Sequence, residues 1–466
     1  MTALSNIDWT KFQDDREIVA YLKTLPRYRN SFLKSAWRRA LFFLHLLYCR
    51  TFNVDKPLFI VLVTNNNCNL NCTYCYGEYG TKTTEKNYST RKFLEIIDEL
   101  KGLGTQLLTL HGGEALLRKD FGDVLNYAKL RGFYVSVNTN GYLVPRKLEE
   151  LRCADTVVLS LDGKEENNDR YRGEGCYGKV MKALDALETI KMPTVLSATL
   201  TDDTIDDMDF LADLAVKRHL RIQYSILYNS DYLAKKTGRQ LSTDEIIRKT
   251  TQKVKDLRTA GFPVYYSENV LDAAINWPER FEEKREYTLA DLPKYEHRKK
   301  DFIRCYHGRL KYQIDADGRV IRCWALNKAD APNIHDLGLK GALDAVHEDN
   351  FCQHCTYLAN NEHNALLDLT PRSVAHIARI QLADALKFLV KPTRGATVQR
   401  EIISSPTVQS PHAYTAPSRK VMTIKPLAAC GSGPVRDNCG VSVQGEHPDR
   451  SKRERADPEQ REHLDR

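Results

Sequence analysis

Residues 58–75 read LFIVLVTNNNCNLNCTYC. The first half, Leu58–Thr64, is apolar and β-branched and predicts a strand. The second half sets Cys68, Cys72 and Cys75 in a loop directly after it. Downstream the same alternation continues. Candidate strands are Gln106–Leu110, Phe133–Asn138, Thr156–Leu161, Thr194–Leu200 and Arg221–Ile226. Helical patterns lie between them at Ser89–Leu103, Phe121–Leu130, Tyr177–Ile190 and Thr204–Arg218. Parallel neighbours need a crossover, so a βα repeat implies a parallel sheet. Right-handed crossovers roll such a sheet toward a barrel. Six units give an α/β fold, a partial (βα)6 TIM-like barrel. Sites in parallel βα folds gather at the C-terminal ends of strands. The places to look are therefore just after Thr64, Leu110, Asn138 and Leu161.

The chain has 466 residues, a net charge of +8 and 12 cysteines. Its 42% apolar and 28% charged composition is that of a globular protein. No run of about 18 apolar residues occurs, which argues against a simple membrane span. The start, Met1 to Asp15, lacks the pattern of a secretory signal. The expectation is a cytoplasmic protein, in which thiols stay reduced and cysteines serve metals or catalysis. Residues 1–56 form a basic helical segment, with ten Lys or Arg against five Asp or Glu. Within it, residues 31–52 fit either a helix packed on the main domain or an interfacial helix touching the inner membrane surface. Residues 393–466 hold seven of the 17 prolines and end in a charged run without aromatics, which predicts a disordered tail.

C-x3-C-x2-C gathers three thiolates, where a structural zinc or a [4Fe–4S] cluster normally takes four protein ligands. Three cysteines on such a cluster leave one iron open to a small chelator with amine and carboxylate groups. The cysteine motif, with Tyr74 before its last member, resembles the defining motif of the radical SAM superfamily. Three further elements match in order. His111-Gly112-Gly113-Glu114 resembles the element that holds the methionyl amine of S-adenosylmethionine. Val137-Asn138-Thr139-Asn140-Gly141 resembles the family's TNG turn. Ser160-Leu161-Asp162-Gly163 with Asp169-Arg170-Tyr171-Arg172-Gly173 resembles the region whose Ser and Arg contact ribose and carboxylate. By this resemblance, Cys68, Cys72 and Cys75 hold a [4Fe–4S] cluster. Tyr74, Gly112, Gly113, Glu114, Ser160 and Arg172 bind S-adenosylmethionine.

A second set of cysteines is Cys305, Cys323, Cys352 and Cys355. Tyr312 to Cys323 reads as a hairpin around Asp317-Gly318, which brings Cys305 and Cys323 together. Cys352-Gln-His-Cys355 supplies two more thiols, with His354 a bystander. On spacing alone a zinc ribbon remains open. The pattern resembles the SPASM domain or its shorter twitch form, which implies one auxiliary [4Fe–4S] cluster held by these four residues. The expected division is 1–56 basic segment, 57–290 barrel, 291–392 auxiliary-cluster domain and 393–466 tail. Of the remaining cysteines, Cys49 and Cys153 read as packing residues; Cys176, Cys430 and Cys439 have no assigned role.

The resemblance implies an enzyme. A reduced flavodoxin or ferredoxin donates an electron, and S-adenosylmethionine is cleaved to a 5′-deoxyadenosyl radical. That radical abstracts hydrogen from a substrate C–H bond, and the auxiliary cluster assists a net oxidation or bond formation. The substrate is not legible. Alternatives are a lipid-linked substrate at the membrane surface, a peptide maturase, a molybdopterin-type cyclase, and a non-catalytic zinc or iron–sulfur module. The mild charge, clustered at the N-terminus, argues against nucleic acid.

Overall fold

A computed structural model describes residues 7–389, except 76, 78, 80–86, 228–242, 282, 325–329 and 349–351. The expected tail lies outside the described residues. Six parallel strands follow one another in register: β1 (Phe59–Val63), β2 (Leu107–His111), β3 (Tyr134–Thr139), β4 (Thr156–Ser160), β5 (Thr194–Leu200) and β6 (Arg221–Ile226). Each bound lies within a residue of its expectation. The helices between them include α3 (Thr90–Gly102), α4 (Phe121–Leu130), and two more at Cys176–Thr189 and Met208–Lys217. This is a partial TIM-like barrel.

Alternation along the strands divides the sheet into two faces. Leu108, Leu110, Val135, Val137, Leu159 and Ile222 are fully buried in the main apolar core with the helices. Their neighbours Thr109, Ser136, Asn138, Ser160, Thr199 and Gln223 are only half-buried and line the concave face.

The expected hairpin forms from β8 (Lys311–Ile314) and β9 (Val320–Ile321), and it extends the main sheet. β8 runs parallel to β1, pairing Phe59 with Lys311 and Leu62 with Ile314. The reason is packing: Tyr312 and Ile314 enter the same core as Ile60 and Leu62. Strand order is therefore β6-β5-β4-β3-β2-β1-β8-β9. A separate two-stranded ladder pairs β7 (Glu286–Thr288) with β10 (Cys352–Cys355). Residues Met1–Thr393 cluster as one compact unit.

At the N-terminus, α1 (Asp15–Thr24) packs beside α3 and α4, and α2 (Phe32–Thr51) closes the N-terminal end of the barrel. Ser31 caps α2 by accepting from the Lys34 N–H at 3.3 Å. Its inward face, Phe42, Leu46 and Cys49, packs on Leu58, Tyr306 and Leu310, which precede β1 and β8. Ser35 donates to Asp155, which also pairs with the fully buried Lys129. Arg38 Nη2 donates to the Lys129 carbonyl at 3.0 Å. All these contacts lie where strands begin. Truncating Leu46 to Ala would cost about 2–5 kcal/mol through the cavity left behind.

Candidate functional site

The loop after β1 carries the first three cysteines at the C-terminal end of the sheet. Cys68 and Cys75 pack against Val63, Tyr79 and Ala316, the last from the turn of the hairpin. Cys75 N–H donates to the Cys72 carbonyl at 3.2 Å, and Leu70 N–H to Cys68 Sγ at 3.4 Å. Burial pushes the Cys68 thiol up to about 12 and raises Cys72 as well. Arg172 opposes the shift at Cys72. The thiols thus crowd one another in a half-buried loop, a donor set suited to a thiolate-ligated metal group.

Both glycines of His111-Gly112-Gly113-Glu114 are dictated by close backbone contact. A Cβ at Gly113 would lie 2.2 Å from the Asn67 carbonyl oxygen, and one at Gly112 would lie 2.8 Å from that of Asn65. The Gly113 and Glu114 N–H groups donate to those same carbonyls at 3.1 and 2.8 Å. This turn therefore braces the cysteine loop. Glu114 is 1% exposed. Its Oε1 accepts from Thr139 Oγ1 (2.8 Å) and Leu116 N–H (3.1 Å), and Oε2 accepts from Asn140 N–H (2.7 Å). Burial raises its pKa, and those three hydrogen bonds oppose the shift. Asn140 Nδ2 in turn donates to Asn69 Oδ1 at 2.9 Å. The loops after β1, β2 and β3 are thereby tied into one rim.

Ser160 ends β4 on the concave side. Arg172, the last residue of the short helix Glu165–Arg172, is buried against Asp162. Its Nε donates to Asp162 Oδ2 at 2.6 Å and its Nη2 to Oδ1 at 2.8 Å. Tyr74 turns its hydroxyl onto the same carboxylate, with its ring 5.6 Å from the Arg172 guanidinium. Thr199 N–H also donates to Asp162 at 2.8 Å. Asp162 was legible only as part of a motif. Its role as the hub for Tyr74 and Arg172 appears with the tertiary fold.

The second four cysteines line one cavity, which encloses about 410 Å³, part of it open to solvent. Cys305 precedes β8, Cys323 follows β9, and Cys352 and Cys355 bound β10. A hydrogen bond between Cys305 and Cys352 holds the first thiol low and pushes the second up. Asn360 Nδ2 donates to Cys323 Sγ at 3.3 Å and Cys355 Sγ to Asn361 Oδ1 at 3.5 Å. Among the described residues, no group of three His, Cys, Asp or Glu closes on a single ion. Four thiols lining one cavity are a donor set that fits a four-cysteine iron–sulfur cluster or a single zinc. His354 bonds the Ile303 carbonyl through Nδ1 at 2.9 Å.

Three basic groups that sequence reading missed attend this cavity. His307 and Arg322 line it. Lys311, 4% exposed, bonds His363 Nδ1 at 2.8 Å and lies 4.8 Å from the Phe59 ring centroid. No local pattern marks Lys311; its place follows from the pairing of β8 with β1. Lys311 is level with Phe59 at the start of the strands, whereas the first cysteine loop lies past their ends. At about 3.3 Å per residue, the length of β1 alone separates the two cysteine sites by roughly 16 Å. Of the other cysteines, Cys49, Cys153 and Cys176 are buried. Cys176 has no exposed surface.

Residues 62–215 match the family model described as the radical SAM superfamily. Fe-coproporphyrin III synthase of Methanosarcina barkeri is 28% identical over 228 residues, covering 47% of this chain and 56% of that one. Mycofactocin maturase MftC of Mycolicibacterium smegmatis is 31% identical over 169 residues, covering 35% and 43%. The chain thus spans about half the length of the curated relatives it matches. A crystal structure of Streptococcus suis SuiB bound to S-adenosylmethionine aligns with a TM-score of 0.49 at 19% identity, covering 66% of this chain and 69% of that one.

Proposed function

The chain carries a radical SAM domain, and from that premise we propose that it is an enzyme using S-adenosylmethionine and a [4Fe–4S] cluster to activate a substrate C–H bond. Bound together, those two groups supply a 5′-deoxyadenosyl radical. Cys68, Cys72 and Cys75 would hold the cluster. The rim of Gly112, Gly113 and Glu114 fixes the shape of the loop that carries them. Ser160 stands at the end of β4, the strand beside β3, and Arg172 and Tyr74 are both anchored on Asp162. Cys305, Cys323, Cys352 and Cys355 would hold an auxiliary [4Fe–4S] cluster, within a region we assign to residues 291–392. The observation that carries the reading is the joining of four sequence motifs in one rim at the C-terminal ends of β1 to β4.

The concave face favours a polar substrate. Thr109, Ser136, Asn138, Thr199 and Gln223 offer hydroxyls and amides, and Asn138 Oδ1 is buried with no hydrogen-bond partner among the described residues. An acyl chain would leave those groups unsatisfied at a cost of about 1–3 kcal/mol each. A peptide would satisfy them, which agrees with a maturase among the relatives. The proposal includes a flavodoxin or ferredoxin as electron donor, a cytoplasmic place of work and peripheral membrane contact through residues 31–52. No helix among the described residues is long and apolar enough to cross a membrane. Anaerobic reconstitution with iron and sulfide, then reduction with S-adenosylmethionine, tests the enzyme reading. Formation of 5′-deoxyadenosine that is lost in Cys72→Ala supports it. A colourless zinc protein without that product overturns it.

A further inference from the structure

Ten large apolar side chains are strongly exposed among the described residues, and six of them belong to α2 and the residue that ends it: Leu33, Trp37, Leu44, Leu47, Tyr48 and Phe52. Leu33 is 77% exposed and Phe52 66%. At 100° per residue, the five within the helix fall in an arc of about 100°. The opposite arc holds Ser35, Phe42, Leu46 and Cys49, all buried. So α2 is apolar on both faces: one closes the barrel, and the other looks outward, its side chains exposed among the described residues. Contiguous exposed apolar surface of this kind marks an interaction site.

The charge around this face identifies the occupant. No Asp or Glu occurs between Lys23 and Phe52. Lys34 Nζ is held by the Arg29 carbonyl at 2.8 Å, and Lys56 lies 5.4 Å from the Tyr48 ring centroid. Burial lowers the pKa of Lys101, and the nearby Arg38 and Arg131 lower it further. Arg29, Lys34, Lys56 and Lys101 have no carboxylate partner among the described residues. The neighbouring acids are spent internally: Asp98 on Arg131, Asp155 on Lys129 and Asp368 on Arg50. A second copy docking through the same face would set cation against cation. Anionic lipid headgroups would meet the rim, while Trp37, Tyr48 and Phe52 enter the interface as aromatic anchors do.

We propose that the outward face of α2 seats the protein on an anionic membrane surface, with the opening of the barrel turned away from the bilayer. The orientation follows from the fold. α2 lies at the N-terminal ends of the strands, and the loop of Cys68, Cys72 and Cys75 lies at their C-terminal ends. The site then faces the aqueous phase, which disfavours a substrate drawn laterally from the lipid. The docking itself does not depend on the radical chemistry.

The test uses the full chain with vesicles of phosphatidylcholine, with and without phosphatidylglycerol. Co-sedimentation should require phosphatidylglycerol and fall with salt. It should be lost in Trp37→Glu/Leu44→Glu, whose exposed positions leave the core intact. Each base near the surface contributes about 1 kcal/mol, so Lys34→Glu/Lys56→Glu should weaken binding by roughly tenfold or more. Hydrogen exchange on vesicles should slow at residues 33–52 and stay unchanged at 68–75. No binding to phosphatidylglycerol vesicles overturns the proposal. So does binding that survives both double variants, or a dimer in solution that Trp37→Glu/Leu44→Glu dissociates. Slowed exchange at 68–75 overturns the orientation.

Discussion

Arg172 and Asp162 form a two-pronged ion pair, closed by hydrogen bonds of 2.6 and 2.8 Å, with both side chains buried. The family resemblance assigns Arg172 to a ligand carboxylate. In this fold its Nε and Nη2 are already committed to Asp162, and Tyr74 joins the same carboxylate.

Removing one partner leaves the other charge buried. Arg172→Ala and Asp162→Asn should each destabilise the protein by about 3–5 kcal/mol, measured by urea unfolding before any S-adenosylmethionine is added. Unchanged stability in Arg172→Ala would mean that the residue serves only the ligand.

Two separate cysteine sites predict separable losses of iron. If each holds a cluster, the reconstituted protein carries about eight irons per chain. Cys323→Ala should keep the cluster of the first loop and its cleavage of S-adenosylmethionine while losing product. Cys72→Ala should do the reverse for cleavage. Iron analysis and electron paramagnetic resonance of each variant check this, and full product formation by Cys323→Ala would remove any role for the second site.

Lys311 places a buried cation beside the second cysteine site. Burial pushes its pKa down to about 8, and the nearby Cys323, Cys305 and Cys355 oppose that shift. A cation there stabilises the more negative, reduced state of a thiolate-ligated cluster. Lys311→Met should therefore move the potential of that cluster to more negative values, and Lys311→Arg should largely retain it. Redox titration followed by electron paramagnetic resonance reads the shift; identical potentials in Lys311→Met and the parent protein would exclude the effect.

Glu362 introduces a pH dependence on the same helix, Leu358–Leu367, whose Asn360 and Asn361 bond Cys323 and Cys355. Burial raises its pKa to about 7 from 4.5, against the hydrogen bonds from Ser267 N–H and Oγ at 2.7 and 2.8 Å. A carboxyl that binds its proton more tightly when folded stabilises fully below its unfolded value. That contribution fades as pH rises through about 7. The span is worth at most about 3 kcal/mol. Thermal unfolding from about pH 5 to about pH 8 should show the parent protein losing stability relative to Glu362→Gln. Parallel profiles for the two proteins would refute the assignment.

Much of this protein follows from local sequence. β1 to β6 are legible because branched apolar runs alternate with amphipathic helical stretches, and that periodicity is a property of neighbouring residues. The cysteine spacings are local too, as is the hairpin around Asp317-Gly318. The tertiary structure decided what those local features meet. β8 joins β1 because Tyr312 and Ile314 share a core with Ile60 and Leu62, a contact spanning some 250 residues of sequence. That pairing carries Lys311 to the second cysteine site. Asp162 becomes a hub only when the loops after β1 and β4 and the strand β5 close on it. The outward face of α2 is a tertiary fact as well. Its sequence is apolar on both sides, and only the packing of Phe42, Leu46 and Cys49 determines which side is left bare.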